Sequence, residues 1–416
     1  MDTETISELL GGWEGYSIGT VGRRHVNGGD GDGPPEIWIE LLPRRDRPRV
    51  CDGCGKPCDS IHDEQERWVK DLPILECSTH LLVHRVRVNC ATCGPKVERL
   101  SWLEPYARVT KRLAHSVARL CKVTSVKHAA DFYGLNWKTA KRIDKVYLQR
   151  ELGPVDEASL AGIEVIAMDE FAIHKGQRYA TVVIDPRTRR VLWVGRGHGR
   201  EDVRPFFNLL GEAGRQRLRA VVMDMNGAYE AEVKAQCPQA QVVYDLFHVV
   251  AKYGHEVIDR VRVDEANRLR HDAPARQVIK GSRWLLLRNR DNIKREADRV
   301  RLDELLKANR RLMTAYVLKD DLKRLWDYRH TGYALMFWQA WYHRALRSRI
   351  DPLKRFARKL KSYLGGILAH CRWPLHTSVL EGINNKIKVM KRMAYGYRDD
   401  TYFFLRIRAA FPGNPG

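Results

Sequence analysis

No stretch of this 416-residue chain approaches the roughly 20 consecutive apolar residues that a membrane-spanning helix needs. The longest apolar runs, such as Val165 to Met168 and Tyr333 to Trp338, stop far short of that. The first twenty residues carry acids at Asp2, Glu4, Glu8 and Glu14 and lack the basic start and apolar stretch of a secretory signal. Internal repeats and long low-complexity tracts are missing too. A disordered chain is excluded as well, because 44% hydrophobic residues and 11 Trp supply material for substantial cores. These absences predict a soluble, cytoplasmic protein of several folded units. Its nine cysteines then suit metal ligation or burial better than disulfides.

Negative charge is in short supply, with 51 Asp+Glu against 73 Lys+Arg and a net charge of +22. The surplus is clustered. Residues 106–155 carry +8, 251–370 carry +15 and 371–416 carry +5, whereas 1–50, 51–105 and 156–250 come to −3, −2 and −1. Blocks of Lys and Arg are the electrostatic footprint of a partner with a phosphate backbone.

Motifs and composition divide the chain into six segments. Residues 1–36 end in the Gly/Pro/Asp-rich stretch Asn27 to Pro35 and read as a flexible segment. Residues 37–105 hold a short strand, Ile37 to Leu42, and two CxxC pairs, Cys51 with Cys54 and Cys90 with Cys93. Four thiolates from two knuckles suit one tetrahedral Zn²⁺, a structural ion, and the Gly94 that follows the second pair fits a tight turn. Cys58, Cys77, His62, His80 and His84 lie nearby without matched spacing and read as bystanders. In residues 106–155, Lys127 to Ile143 has the pattern of a helix-turn-helix. Ala130 sits at the helix crossing, Gly134 supplies positive φ in the turn, and Ala140 and Ile143 pack inward. That leaves Asn136, Trp137, Lys138, Lys141, Arg142 and Lys145 on or near the exposed side of a recognition helix for DNA.

Residues 156–250 change to alternating strands and helices. Strands are expected at Ile163 to Met168, Arg178 to Ile184, Arg190 to Val194, Ala220 to Met223 and Gln241 to Tyr244, with helices at Val203 to Leu210 and near Tyr229 to Ala235. A three-strand meander followed by two helix-linked strands is the order of an RNase H-like mixed sheet. Residues 251–370 read as a large basic helical insertion, and 371–416 as the second part of the core.

Asp169 ends the first of these strands and Asp224 the fourth. Carboxylates at the ends of adjacent strands converge, and hard oxygen ligands there suit Mg²⁺ or Mn²⁺. Glu381 is the expected third acid, from a helix on which positions 381, 384, 385 and 388 share a face and present an acid, two amides and an ammonium. Carboxylates sharing two metal ions can align an in-line attack on a phosphodiester. Asn384, Lys388, Lys391 and Arg392 are the associated candidates for holding the DNA strand.

Taken in order, the CxxC pairs, Trp68 to Ile74 between them, the helix-turn-helix, Met168-Asp169-Glu170, Asp224, Tyr244 to Val249 and Glu381 to Lys388 resemble bacterial insertion-sequence transposases of the ISL-three family. The resemblance covers about residues 40 to 410. It implies a DDE catalytic core with a helical insertion between the second Asp and the Glu, and Asp169, Asp224 and Glu381 as the metal-binding triad. Asp245 with His248 resembles the D-x-x-H element of related transposases, which implies a catalytic neighbourhood for His248. The implied activity is binding of the element's terminal inverted repeats, cleavage at its ends, and joining of the 3′-hydroxyls to target DNA. Double-stranded DNA is the implied partner, in a homodimer or larger synaptic assembly, with no membrane and a bacterial, nucleoid-associated location. A DNA-binding regulator without catalysis and a metal-dependent nuclease without strand transfer are the alternatives.

Overall fold

Alternating and helical apolar patterns separate into two compact units in the computed structural model, which describes residues 10–25, 35–174, 176, 178–375 and 378–414. One unit comprises residues up to Gly153 together with Arg392–Tyr397; the other comprises Pro154–Lys391 and Arg398–Gly416.

The first unit begins with a five-stranded sheet. Strands β1 (Tyr16–His25) and β2 (Pro35–Pro43) are antiparallel, β2 runs parallel to β4 (Cys77–Cys90), and β4 pairs antiparallel with both β3 (Ile61–Ile74) and β5 (Gly94–Val97). Period-two alternation sends Leu81 and Val83 of β4 into a core with Trp13, Tyr16, Ile39, Leu41 and Val69. At Arg85 and Val86 two successive residues are buried, so the inward face changes. Val86 and Val88 then pack with Cys51 and Cys90 in a second, smaller core.

The described residues 10–25 of the segment expected to be flexible are ordered into the sheet. Of those described, Trp13 and Tyr16 are 3% and 2% exposed, and β1 is a full partner of β2. Burial of two aromatic rings outweighs the weak strand propensity of a Gly-containing segment. Most of the Asn27 to Pro35 stretch lies outside the described residues.

Asp71 ties the sheet to the helices after it. Its buried carboxylate accepts from Trp13 Nε1 at 3.1 Å, Thr110 Oγ1 at 2.6 Å and Arg112 Nε at 2.8 Å. Thr110 is the N-cap of helix α1 (Lys111–Val123). After α1 come α2 (Val126–Phe132), capped by Ser125, and α3 (Trp137–Leu152), capped by Asn136. Ala129, Ala130, Ala140 and Ile143 are buried where these helices cross, and Gly134 has φ +57° in the α2–α3 turn, as the motif requires.

In the second unit β6 (Val165–His174), β7 (Arg178–Asp185) and β8 (Arg190–Arg196) form an antiparallel meander. Helix α4 (Arg200–Arg217) leads to β9 (Ala220–Met223), and α5 (Gly227–Gln236) leads to β10 (Gln241–Tyr244). Both β9 and β10 run parallel to β6, giving the order β10-β9-β6-β7-β8. Crossover helices between parallel strands make both sheet faces apolar, which is why Val165 to Met168 and Ala220 to Met223 are fully buried runs.

Helix α6 (Leu246–Tyr253), a π-helical turn (Gly254–Ile258) and α7 (Asp259–Arg268) form one continuous rod. Helices α8 (Ala273–Gly281), α9 (Arg283–Leu287), α10 (Glu296–Ala308), α11 (Arg310–Arg324), α12 (Thr331–Arg347), α13 (Asp351–Lys361) and α14 (Leu364–Leu368) come next. These basic helices share a single apolar core with the sheet, running from Leu160 through Phe206, Tyr253 and Trp341 to Cys371. The charge that marks residues 251–370 in sequence lies on their outer faces. Helices α15 (Ser378–Met393) and α16 (Asp400–Ala410) close the chain.

Candidate active site and metal centre

The register of β6 with β9 pairs Ala167 with Val222, so two residues further on Asp169 lies level with Asp224. Asp224 directly follows β9, whereas Asp169 does not end its strand as the apolar run predicts: β6 continues past it to His174, held by its ladder with β7. Asp169 is 8% exposed. Its Oδ1 accepts the Glu170 backbone N–H at 2.9 Å, and its Oδ2 accepts the Asn384 side-chain amide at 2.6 Å. Burial, reinforced by the carboxylates of Asp224 and Glu170, pushes the Asp169 carboxyl up to about 6 against the opposing pull of His248 and the Glu170 N–H. Burial and the Glu170 carboxylate also raise Asp224, opposed by His248, Lys252 and the Asn226 N–H.

His248 and Lys252 reach the acids from α6. Asp245 caps this helix, accepting the Phe247 N–H at 3.0 Å, and its other oxygen lies 3.7 Å from His248 Nε2. Lys252 donates to the Met225 carbonyl at 3.2 Å. Asn226 caps α5 and turns its amide nitrogen to Glu170 Oε2 at 3.5 Å. Strand alternation alone puts Glu170 on the face opposite Asp169. It does pair in register with Thr181, whose hydroxyl meets Tyr229 Oη at 2.7 Å, yet its carboxylate still acts on both aspartates.

On α15, Leu380, Ile383 and Ile387 are buried and turn Asn384 onto Asp169. Glu381, one turn earlier, is exposed, as are Asn385, Lys388 and Arg392. Among the described residues no set of three carboxylates or imidazoles comes within mutual ligand distance, so Glu381 is not gathered with Asp169 and Asp224. Lys391 donates to the Ala172 carbonyl at 2.6 Å and pins α15 to β6. A divalent cation suits what is assembled there: hard oxygen donors, two buried oxygens without hydrogen-bond partners (Asp224 Oδ1 and Asn384 Oδ1), and acids whose raised affinity for protons marks a deficit of positive charge.

In the first unit the sulfurs of Cys51, Cys54, Cys90 and Cys93 all lie within 4.8 Å of one another, with Cys54 and Cys90 3.6 Å apart. Tetrahedral zinc with bonds of about 2.3 Å demands sulfur–sulfur edges of about 3.8 Å. The knuckles are shaped by backbone hydrogen bonds from Gly55 to Cys51 and from Cys51 to Lys56, and by Gly94 at φ +69°. Backbone N–H groups of Cys93 and Thr92 pull the Cys90 thiol down to about 6, toward the thiolate that binds metal. Cys58 packs against this cluster. His62, His80 and His84 instead pair with Asp63, with Glu36, and with Glu40 and Glu64.

On the recognition helix, Asn136, Trp137, Lys138 and Arg142 are exposed and Lys141 and Lys145 half-exposed. The Asn136 side chain accepts the Lys138 N–H at 2.9 Å, so it starts the helix as well as facing solvent. No described helix is long and apolar enough to cross a membrane.

Comparison with known proteins agrees with both regions. Residues 166–407 match the ISL3 family model described as "Transposase", with its DDE domain, and residues 98–147 match the helix-turn-helix domain of transposase family ISL3. The chain is 53% identical to the transposase of insertion sequence element IS1001 from Bordetella parapertussis over 410 residues, 98% of each chain. It is 28% identical to the transposase of element IS1557 from Mycobacterium tuberculosis over 395 residues, 88% of this chain and 86% of that one.

Proposed function

The chain belongs to the ISL3 family of insertion-sequence transposases, and from that premise we propose that it binds the terminal inverted repeats of its element, cleaves DNA at the element ends and joins the freed 3′-hydroxyls to target DNA. The observation that carries this reading is the position of Asp169 on β6 beside Asp224, just past the end of neighbouring β9, both with raised carboxyls. The strand order supports an RNase H-like core. In this reading Asp169, Asp224 and Glu381 hold two divalent cations, Mg²⁺ or Mn²⁺. When bound, such ions activate the attacking oxygen and stabilise the departing one.

The chain's own groups do the rest. Asn384 and the Glu170 N–H orient the Asp169 carboxylate, and His248, held near Asp245, lies beside both aspartates. Lys388 and Arg392, exposed on α15, hold phosphates of the strand, as do Lys138, Lys141, Arg142 and Lys145 on α3. In the first reaction water attacks the phosphorus at the element end, and the element's 3′-oxygen leaves and takes up a proton. In the second, that hydroxyl attacks a target phosphodiester and displaces its 3′-oxygen. The four cysteines hold a structural zinc ion that shapes the end-binding unit. Two ends must be joined to one target, so a dimer or larger assembly forms. Residues 37–105, 106–155 and the basic 251–370 act as zinc, end-binding and flank-binding regions, with the catalytic groups supplied by 156–250 and 371–416.

A purified-protein assay on element-end DNA with Mg²⁺ tests this. The parent nicks at the ends and yields joined products, and Asp169→Ala, Asp224→Ala and Glu381→Ala each fall by about a thousandfold or more. Cleavage by these variants at the parent rate overturns the triad. The exposed Glu381 favours one rival, a regulator that binds without cutting; end binding with no metal-dependent nicking by the parent establishes it.

A further inference from the structure

The rod that starts at Asp245 contains an irregularity past the catalytic neighbourhood. Gly254–Ile258 form a π-helical turn before α7 resumes. Such single π-turns are rare within α-helices and frequently occur at functional sites. This one helps to line a cavity of ≈ 530 Å³ whose walls include His255, Glu256, Arg260, Asp264 and Arg355, with the ring of Phe356 among them. Phe356 is 3% exposed and meets Tyr253 edge to face at 5.1 Å, which makes that part of the lining rigid and apolar.

The charges do not cancel within the cavity. Glu256 is committed to Lys359 at 2.8 Å. Arg260 and Arg355 are exposed, and among the described residues neither pairs with a carboxylate. That leaves two guanidinium groups and an imidazole facing the single carboxylate of Asp264. Arginine forks match phosphate oxygens in pairs, and a rigid apolar surface beside them accommodates a sugar.

We propose that this cavity seats one backbone phosphodiester of the DNA strand that runs to the cleaved bond. The inference rests on the transposase reading and adds a position to it. His248 and His255 lie seven residues apart on one rod, a rise of about 10 Å. The proposal lays the strand along the rod, where successive phosphates of one strand are about 3.4 Å apart along the duplex axis, which puts a phosphate at the His255 wall about three linkages from the one at the catalytic carboxylates. Arg260 and Arg355 are positioning residues: they fix the register of the strand and do not touch the reacting atoms.

The test uses full-length protein and end DNA in which one phosphate at a time is replaced by a neutral methylphosphonate, binding being read in Ca²⁺ and cleavage in Mg²⁺. With the parent, neutralising one linkage two to four nucleotides from the cleaved bond weakens binding about tenfold. In R260Q/R355Q, with an unchanged melting temperature, affinity for unmodified DNA falls about tenfold or more and the slope of log K against log salt drops by about 0.9. In that variant the sensitive linkage costs nothing further when neutralised, while R260K/R355K recovers the salt slope but only part of the affinity. An unchanged affinity in R260Q/R355Q overturns the proposal. So does a scan in which the same linkage stays sensitive, and so does saturation of the cavity by millimolar inorganic phosphate without loss of end binding. A parent that binds end DNA with this pattern but never cleaves removes the catalytic reading and leaves the phosphate seat standing.

Discussion

Asp169→Asn separates the folding cost of the active site from its chemistry. Asp169 is buried and its carboxyl is raised from 3.8 to about 6. A raised acid penalises the folded state once it ionises: the penalty is absent below the unfolded value of 3.8, grows between 3.8 and about 6, and is complete above that. At 1.36 kcal/mol per unit, the full penalty is about 3 kcal/mol at pH 8 and about 1 kcal/mol at pH 4.5. The variant removes the charge, and its Oδ1 keeps the Glu170 N–H. Its new amide is accepted by Asn384 Oδ1 once that amide turns over, which moves the Asn384 nitrogen to a buried position without a partner and takes back about 1 kcal/mol of the gain. The expected result in EDTA at pH 8 is a melting temperature several degrees above the parent's, at about 2–4 °C per kcal/mol for a unit of this size. At pH 4.5 most of the gain disappears. Saturating Mg²⁺ or Mn²⁺ stabilises the parent by about 2.7 kcal/mol at a hundred times its dissociation constant and leaves the variant unmoved, closing the gap. Thermal unfolding followed by tryptophan fluorescence reads all three arms. A variant no more stable than the parent at pH 8 in EDTA, or a gain independent of pH, refutes the reasoning.

The remaining predictions concern the first unit. Cys90→Ser removes one of four converging sulfurs, so the purified protein loses its zinc and unfolds its smaller core; zinc content by mass spectrometry equal to the parent's contradicts the four-cysteine site. Asp71→Ala strands Arg112, Trp13 and Thr110 around a buried gap and costs about 3–5 kcal/mol in denaturant titrations, whereas a loss under about 1 kcal/mol means the network holds nothing together. Lys138→Ala with Arg142→Ala leaves the melting temperature unchanged, because both side chains are exposed, and weakens end binding with a shallower salt slope; unchanged affinity in gel shifts removes α3 from the DNA interface.

Much of the catalytic unit is legible in the sequence because its strands are short, apolar and sharply bounded. Ala220–Met223 and Gln241–Tyr244 occur where the pattern puts them and β8 runs two residues past its apolar run, but β6 starts at Val165 and continues six residues beyond Met168, because its polar second half is held by the ladder with β7. The helix-turn-helix is legible from Ala130, Ala140 and Ile143 and one turn glycine. Strand β1 is not, since Tyr16 to His25 has no steady alternation and owes its place to contacts with residues far along the chain. Asp71 offers no local sign that residues 13, 110 and 112 will meet on it. Asn384 can be placed on a helical face beside Glu381, but the rotation that gives Asp169 to the amide and leaves the acid exposed depends on how Leu380, Ile383 and Ile387 pack. Glu170 shows the limit of alternation: facing away in the ladder does not stop a long side chain from acting on carboxylates beyond the end of neighbouring β9.

The single apolar core shared by the sheet and the basic helices sets a clock on synthesis. The last sheet strand, β10, ends at Tyr244, but the core that covers it continues to Cys371, about 130 residues or 6–25 s later at ribosomal rates of about 5–20 residues per second. For those seconds Val221, Phe206 and Tyr253 have no complete partner surface, and the strands that carry Asp169 and Asp224 are a folding intermediate waiting for Trp341 and Phe356. A chain released early by a frameshift or a nick in its own gene keeps the first unit as far as Gly153, without Arg392–Tyr397, and loses the core that supports the carboxylates, so truncation is expected to leave the helix-turn-helix and remove the catalytic groups.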